Sequence, residues 1–167
     1  MDITKFNWKI TGSLKTQITN KELWKIISRP SNLELFHPFC KKNSIVKWPG
    51  KNSIDQIHYY NGLIYERKFI NWIEGIGYDL LIGEKHGYKS FVSWRIENTA
   101  NSSLTISIYP YKYNTGIKIL GFIPYYILVK PLLQKYIHSV MQGLKYYIET
   151  NQKIQKNQFG TLKFFSD

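Results

Sequence analysis

PYYILVKPLLQKYIHSVMQGLKYYIETN, residues 124–151, is the stretch of the chain that decides its fold. Its apolar residues recur at steps of three and four, which is the spacing of one buried face of an α-helix. The residues on this face are Leu133, Ile137, Val140, Met141, Leu144 and Ile148. The opposite side carries His138, Gln142, Lys145 and Glu149. We therefore predict one long amphipathic helix that covers another layer of structure.

Between Ser44 and Tyr109 the pattern changes to that of strands. Short runs of β-branched and aromatic residues alternate with turn-forming residues. The predicted strands are Ser44–Trp48, Ile54–Tyr60, Leu63–Ile73, Tyr78–Gly83, Lys89–Glu97 and Leu104–Tyr109. Asn61 and Gly62 give the strongest turn signal, because both tolerate the positive φ angles of a two-residue hairpin turn. All connections are short, so we expect an antiparallel meander.

Alternation predicts the buried face of some strands but not of all. In the last two runs, Trp94 and Ile106 lie on faces that are apolar throughout, and we expect those faces to point inward. In the run Leu63–Ile73, both sets of alternate residues mix polar and apolar side chains. The pattern therefore leaves the buried face of this strand open.

The first part of the chain predicts a strand followed by a helix. The strand ends near Ile18, and Thr19 is then a suitable N-cap. Glu22 lies three residues after Thr19 and completes a capping box. This helix is expected to stop near Ser28, because Pro30 disfavours helical geometry at the residue before it.

A second short helix, from a cap at Ser31 to about Phe36, completes a helical elbow. The order of elements predicts an α+β fold in which a curved antiparallel sheet of about seven strands wraps around the C-terminal helix. No Pro/Gly/Ser-rich stretch divides the 167 residues. We expect a single domain over residues 1–151, followed by a tail over residues 152–167.

This arrangement resembles the START/Bet v 1-like (SRPBCC) superfamily of helix-grip domains, which includes polyketide cyclase-like and lipid-transfer proteins. The resemblance covers about residues 10–150. Its matching pieces are the strand that ends near Ile18, ELWKIISRPSNLELF (22–36), the run from WPG (48–50) through YYNGLIYERKF (59–69), and YIHSVMQGLKYYIE (136–149). The resemblance implies a cavity between sheet and helix for lipids, sterols, hormones or polyketides. It implies no particular active site, because the superfamily has none in common.

Ten residues are candidates for the wall of such a cavity. They are His58, Tyr60, Tyr65, Arg67, Trp72, Tyr78, Trp94, Tyr109, Tyr136 and Val140. Aromatic rings offer contact area and hydroxyls offer hydrogen bonds, although the same residues also build ordinary cores. His58 and Tyr60 share a strand face with Ile54, and they enter the cavity only if that face points inward. Otherwise His58 is a partly exposed strand histidine.

Arg67 has two interpretations. A lone arginine among aromatic residues can hold a ligand carboxylate or phosphate with two parallel hydrogen bonds. It can equally form a surface ion pair with an acid on a neighbouring strand, such as Glu84 or Asp79.

Metal binding and nucleophilic catalysis find little support in the sequence. His37 and Cys40 have a spacing that brings two soft metal ligands together, and His58 is the third candidate. The simpler interpretation is that His37 and Cys40 pack the turn through Pro38. We therefore predict no metal, no cofactor and no catalytic residue.

The formal net charge of +12 raises the question of an anionic partner. Only Arg29, Arg67 and Arg95 among the 23 basic residues are arginine, and most lysines are isolated. No Arg-rich helix, zinc-ligand spacing or aromatic RNA motif accompanies the charge, so we do not expect nucleic-acid binding. Peripheral contact with an anionic membrane is the better alternative. The oligomeric state is left open.

GIKILGFIPYYILVKPLL, residues 116–133, is unusually apolar for a connection. It is interrupted by Pro124 and two lysines, so it does not predict a membrane span. It is either a lid over the cavity or the buried start of the long helix. The first residues lack a signal-peptide pattern and Cys40 is the single cysteine, so we expect a cytoplasmic protein.

Three functions follow from these features as hypotheses. The first is binding or transport of a hydrophobic small molecule, such as a lipid or a polyketide-like or aromatic compound. The second is a cyclase, aromatase or dehydratase that acts on a polyketide-like substrate in the same cavity. The third is lipid transfer, in which the lysine-rich residues 111–167 and the apolar residues 117–129 dock on an anionic membrane.

Overall fold

The structure, a computed structural model, describes residues 3–98 and 102–166. Its strands are β1 (Ile10–Lys15), β2 (Cys40–Lys47), β3 (Ile54–Tyr59), β4 (Ile64–Ile73), β5 (Gly77–Gly83), β6 (Ser90–Asn98) and β7 (Ser102–Tyr109). Its α-helices are α1 (Asn20–Ser28), α2 (Leu33–Phe36), α3 (Lys118–Pro124) and α4 (Lys130–Thr150). A 3₁₀ turn (Ile3–Lys5) precedes β1, and a π-helical turn (Tyr125–Val129) joins α3 to α4.

The strands form one antiparallel sheet in the order β1-β7-β6-β5-β4-β3-β2. Strands β2 to β7 are a meander, and β1 pairs with β7 along the whole of its length. The sheet curves around α4, with the elbow of α1 and α2 at one end. The predicted α+β helix-grip fold is confirmed.

Helix α4 buries Ile137, Val140, Met141 and Leu144 of the predicted stripe, whereas Leu133 and Ile148 are half-buried. The residues predicted for the opposite side are exposed. Two glycines allow its close packing. A Cβ atom on Gly12 of β1 would lie 2.8 Å from the side chain of Ile137, and one on Gly143 would collide with the carbonyl oxygen of Phe36.

The elbow confirms one predicted cap and corrects the other. Thr19 and Glu22 form the capping box, and α1 ends at Ser28 as expected. Ser31 does not cap α2, whose N-cap position is Asn32. The Ser31 hydroxyl donates instead to the carbonyl oxygen of Asn43, 2.8 Å away, so this side chain ties the elbow to β2.

A β-bulge in β4 explains why alternation did not give its buried face. Tyr65, Arg67 and Phe69 point inward along the first part of the strand. Phe69 pairs with Leu80 and Trp72 pairs with Tyr78, so an extra residue is present on β4 between these pairs. The bulge moves the inward position by one residue. No single alternation therefore describes the strand.

Residues 116–133 contain α3, the π-helical turn and the start of α4. Helix α3 has no buried residue, whereas Tyr125 and Val129 of the π-helical turn are buried. Within residues 3–98 and 102–166, no helix combines the length and the apolar character needed to cross a membrane.

Candidate ligand cavity

A cavity of about 590 Å³ lies between the sheet and α4. Its side walls are apolar, because the inward positions of β5, β6 and β7 carry aliphatic and aromatic residues. These include Leu80, Val92, Trp94, Ile106 and Ile108. The helix contributes Leu133, Ile137 and Val140 from its buried stripe. The volume is in the range of small-molecule sites, about 300–1,000 Å³.

The mouth of the cavity is marked by lining residues that are also exposed. Lys112 and Tyr113 come from the connection after β7, and Leu128 comes from the π-helical turn. Phe164 reaches the mouth from the C-terminal segment and is 63% exposed. The cavity therefore opens between the β7–α3 connection and the C-terminal segment.

A chain of three polar side chains closes the inner end. The Nε2 atom of His37 lies 2.7 Å from the hydroxyl of Tyr136, and this hydroxyl lies 3.1 Å from that of Tyr59. The backbone N–H of Phe39 donates to Nδ1 of His37 over 3.3 Å. Because Nδ1 accepts, a neutral His37 carries its proton on Nε2 and donates it to Tyr136.

Burial determines the protonation states of His37, Tyr136 and Tyr59. Burial, reinforced by the positive charge of Arg67, lowers the pKa of His37 to about 3. Burial also raises the pKa of Tyr136 and of Tyr59 above the ordinary value for tyrosine. At neutral pH all three side chains are therefore uncharged hydrogen-bonding groups.

The three hydrogen-bonded side chains have one polar hydrogen more than their mutual hydrogen bonds use. His37, Tyr136 and Tyr59 supply three polar hydrogens, and their two mutual hydrogen bonds use two of them. Among the described residues, no other acceptor lies within reach of either hydroxyl. One tyrosine hydroxyl can therefore donate to a ligand in the cavity.

Arg67 lines the same end, but it is already paired. Its Nε donates to Asp55 over 2.8 Å, and its Nη2 donates to the second oxygen of Asp55 and reaches Asn32 and Asn43 at 3.4 Å. Burial alone would lower the pKa of Arg67, but the charge of Asp55 raises it above the usual value. The partner is thus the buried Asp55, and neither Glu84 nor Asp79.

The Nη1 atom is the nitrogen of the Arg67 guanidinium that is not hydrogen-bonded to Asp55, Asn32 or Asn43. None of the described residues offers it an acceptor. The Arg67–Asp55 pair as a whole is neutral, and so is His37. The inner end of the cavity therefore offers hydrogen-bond donors without net charge.

Five of the ten candidate residues lie in the cavity wall and five lie elsewhere. Those in the wall are Tyr65, Arg67, Trp94, Tyr136 and Val140. His58 is on the outer face of β3, where its Nε2 lies 3.3 Å from the hydroxyl of Ser44. Tyr60, just past β3, packs under Lys156, whose Nζ is 5.2 Å from the ring centroid.

The other three candidates are packed against aromatic neighbours. Trp72 and Tyr78 stack with their ring centroids 5.6 Å apart, and Trp24 and Phe69 contact both rings. Tyr109 packs against Phe6 and Phe91. Aromatic residues fill the α1 end of the sheet, and the cavity occupies the rest.

Sequence reasoning missed His37, Tyr59 and Asp55 as parts of the site. On β3 the inward set is Asp55, Ile57 and Tyr59, whereas the two candidates named from this strand, His58 and Tyr60, belong to the alternate set. Ile57 and Tyr59 were the available signal for the inward face. Asp55 concealed it, because a charged residue usually indicates the solvent side.

Cys40, which forms the suggested metal-binding pair with His37, is buried. Burial raises the pKa of its thiol to about 12, which disfavours the thiolate that binds metals. Among the described residues, no three His, Cys, Asp or Glu side chains come together in a way that could hold a metal ion.

Solved structures share this architecture at low sequence identity. DynU16, a protein of the dynemicin biosynthetic locus, matches with a TM-score of 0.67 at 10% identity, over 89% of this chain and 51% of its own. Ara h 8.0201 matches with a TM-score of 0.59 at 12% identity, over 86% of this chain and 99% of its own. The chain has the Bet v 1-like helix-grip fold.

CalU16 from Micromonospora echinospora has the same helix-grip fold, with a TM-score of 0.59 at 9% identity over 86% of this chain and 77% of its own. The chain spans about half the length of DynU16. No family model and no curated protein sequence matches the chain. Since identities are this low, the likeness establishes the helix-grip fold, and the function has to be argued from the cavity.

Proposed function

We propose that the protein binds a neutral, lipophilic small molecule that carries a hydrogen-bond acceptor such as a carbonyl oxygen. The supporting observation is the cavity of about 590 Å³, whose walls are apolar and whose inner end holds two donors without partners. These donors are one hydroxyl of the Tyr59–Tyr136 pair and Nη1 of Arg67. Pockets of this kind bind by apolar contact and orient the ligand through a few polar groups.

The charge balance of the inner end favours a neutral acceptor over an anion. Asp55 already neutralises Arg67, and His37 is uncharged at neutral pH. A buried carboxylate at this end would have no countercharge, and burying an unpaired charge costs several kcal/mol. A carbonyl or similar oxygen accepts the same hydrogen bonds without this cost.

The test uses Prodan, a neutral fluorescent naphthyl ketone, as a probe of cavity binding. Val140→Trp places a large ring into the cavity and should abolish binding. The double variant Tyr59→Phe, Tyr136→Phe removes both hydroxyls of the pair and should weaken binding about 3- to 10-fold, the value of one hydrogen bond. Tyr78→Phe is the control, because its hydroxyl bonds to the Ile27 carbonyl oxygen away from the cavity.

Two results would contradict the proposal. One is Prodan binding that survives Val140→Trp. The other is an equal loss of affinity in the double variant Tyr59→Phe, Tyr136→Phe and in Tyr78→Phe. Native mass spectrometry of protein purified from cells should in addition show a co-purified lipophilic mass.

A second candidate is a cyclase, aromatase or dehydratase activity on a polyketide-like substrate. The observation in its favour is the spare hydroxyl donor at the end of an otherwise apolar cavity. Such a donor can stabilise negative charge on a substrate oxygen during carbon–carbon bond formation or dehydration. His58 takes no part in this candidate mechanism, because it lies on the outer face of β3.

The enzymatic candidate is tested by incubation with a reactive linear poly-β-ketone. Wild-type protein should consume it faster than buffer. The double variant Tyr59→Phe, Tyr136→Phe should remove most of the acceleration, while Tyr78→Phe keeps it. Consumption no faster than in buffer would exclude this activity for that substrate class. The Prodan measurement would still stand by itself as evidence of binding.

A further inference from the structure

The outer face of α3 and the π-helical turn exposes a row of large aliphatic side chains. Ile119 is 85% exposed, Leu120 is 73% exposed and Ile127 is 67% exposed. Such a patch on a protein surface usually marks an interaction site. The set, called here the apolar face, consists of Ile117, Ile119, Leu120, Ile123, Ile127 and Leu128.

The apolar face is held outward by contacts on the opposite side of the same helical segment. Tyr125 is buried, and its ring lies 4.7 Å from that of Trp8, centroid to centroid. Phe122 and Tyr126 also contact the Trp8 ring. Trp8 is fixed in turn by two backbone hydrogen bonds to the Asn114 side chain, at 2.7 and 2.6 Å. The aliphatic residues are thus presented to solvent by an anchored helix.

Along the sequence, the charges next to the apolar face have a single sign. The sequence contains no aspartate or glutamate from residue 98 to residue 148. Lys118 and Lys130 flank the segment, and Lys112 lies at the cavity mouth. The Nζ of Lys130 is 4.6 Å from the ring centroid of Tyr126, so its stem lies along the segment. Lysines around an apolar helix face are complementary to anionic lipid headgroups.

A second copy of the chain is a poorer partner for this face. Two apolar faces brought together would also bring their flanking lysines together, and no acid of residues 98–148 would offset the repulsion. An anionic lipid surface satisfies both the aliphatic residues and the lysines. Since α3 is too short to span a bilayer, the segment would lie within the interface.

We infer that the apolar face docks the protein on an anionic lipid surface and holds the mouth of the cavity against that surface. Leu128 belongs both to the apolar face and to the cavity lining, so the two are continuous. A lipophilic ligand could then pass from lipid to cavity without crossing water. This passage rests on the proposed function, whereas the docking itself does not.

Flotation with phosphatidylcholine vesicles, with and without phosphatidylserine, tests the docking. The protein should float with the anionic vesicles at about 0.1 M salt and much less at about 1 M, where the Debye length falls from about 10 Å to about 3 Å. Equal flotation with both kinds of vesicle, or none with the anionic ones, would overturn the inference.

Charge variants test the contribution of the flanking lysines. The double variant Lys118→Gln, Lys130→Gln should lower the apparent partition coefficient about 30-fold, at about 1 kcal/mol per lysine. The double variant Lys41→Gln, Lys42→Gln has the same net charge, but its changes are on β2, at the far edge of the sheet. An equal loss in both variants would mean that net charge alone attracts the protein, and would overturn the inference.

Substitution within the apolar face tests the aliphatic contribution. Leu120→Glu should weaken flotation at least tenfold, because a buried leucine side chain is worth about 1.5–3 kcal/mol. Val46→Glu is the matched control, since Val46 is 62% exposed on β2. If the two variants float alike, the apolar face does not dock.

The oligomeric state and the binding of Prodan are measured separately from flotation. If wild type is a dimer in solution and Leu120→Glu makes it a monomer, the face joins two copies, and the lipid inference fails. Prodan binding in solution should be the same in Leu120→Glu as in wild type. Loss of flotation with Prodan binding retained would support the docking inference, whereas failure of Prodan binding in wild type would count against the proposed function alone.

Discussion

Acidification should destabilise this protein through one buried histidine. The unfolded chain takes up a proton on His37 near its ordinary pKa of about 6.5. In the folded state, burial and the charge of Arg67 lower that pKa to about 3. Between these two values the unfolded state binds more protons, so the free energy of unfolding falls as the pH falls. The contribution of neutral His37 to the free energy of unfolding is complete above about pH 6.5 and is lost by about pH 3.

The magnitude follows from the difference between the two pKa values. Each pH unit below the unfolded pKa costs about 1.4 kcal/mol, so at about pH 4.5 the loss from His37 alone is ~3 kcal/mol. That is a large part of the 5–15 kcal/mol typical of a small domain. Carboxylates add their own losses over part of this range, so the histidine must be isolated by substitution.

The assay is urea unfolding at about pH 7.5 and about pH 4.5 for wild type, His37→Gln and His138→Gln. Glutamine can keep a donor near Tyr136 but cannot titrate. His37→Gln should lose ~3 kcal/mol less than wild type between the two pH values. His138 is exposed on α4, so its variant should behave like wild type.

Two observations would refute this reasoning. The first is an equal acid-dependent loss in wild type and His37→Gln. The second is an NMR titration in which the His37 ring of the folded protein changes protonation near pH 6.5. Either would mean that solvent reaches the inner end of the cavity.

Three further predictions concern packing. Arg67→Met should cost about 3–5 kcal/mol, because it leaves Asp55 buried without a partner, and adding Asp55→Leu should restore much of that loss in thermal unfolding. Gly143→Ala should destabilise the protein by about 1–3 kcal/mol, because the new Cβ collides with the Phe36 carbonyl oxygen. This loss should outweigh the better helix propensity of alanine. A gain in Tm would contradict the geometry. Phe165→Ala should cost ~2 kcal/mol, about half of the loss at a core phenylalanine, and should weaken Prodan binding; unchanged affinity would show that this ring does not shape the cavity.

The fold could be predicted because its signals are local. The capping box at Thr19, the hairpin turn at Asn61 and Gly62, and the helical stripe that includes Ile137 each follow from the order of residues along the chain. A turn that contains Asn61 and Gly62 joins β3 to β4, but it is not the expected two-residue turn. Only Gly62 has a positive φ, and residues 60–62 lie between Tyr59 and Leu63, which are hydrogen-bonded to each other. Together these features determine the order and the type of the elements.

The site was harder to predict, because it depends on pairs of distant residues. Tyr65, Arg67 and Tyr136 were among the candidates, but the partner of Arg67 is an inward acid on β3 that no local pattern indicated. His37 meets Tyr136 across 99 positions of sequence. The β4 bulge further removed the alternation that would have separated cavity residues from the packed aromatic end.

The two segments whose roles the sequence left open meet at the mouth of the cavity. Residues 116–133 bring Leu128 there, and the C-terminal segment brings Phe164, whose carbonyl oxygen accepts from Asn61 at 2.8 Å. Phe165 packs on the Tyr59 and Tyr136 rings, at centroid distances of 5.0 and 4.8 Å. Residues 116–133 are apolar on both sides, because one side of this helical segment packs on Trp8 whereas the other side is exposed.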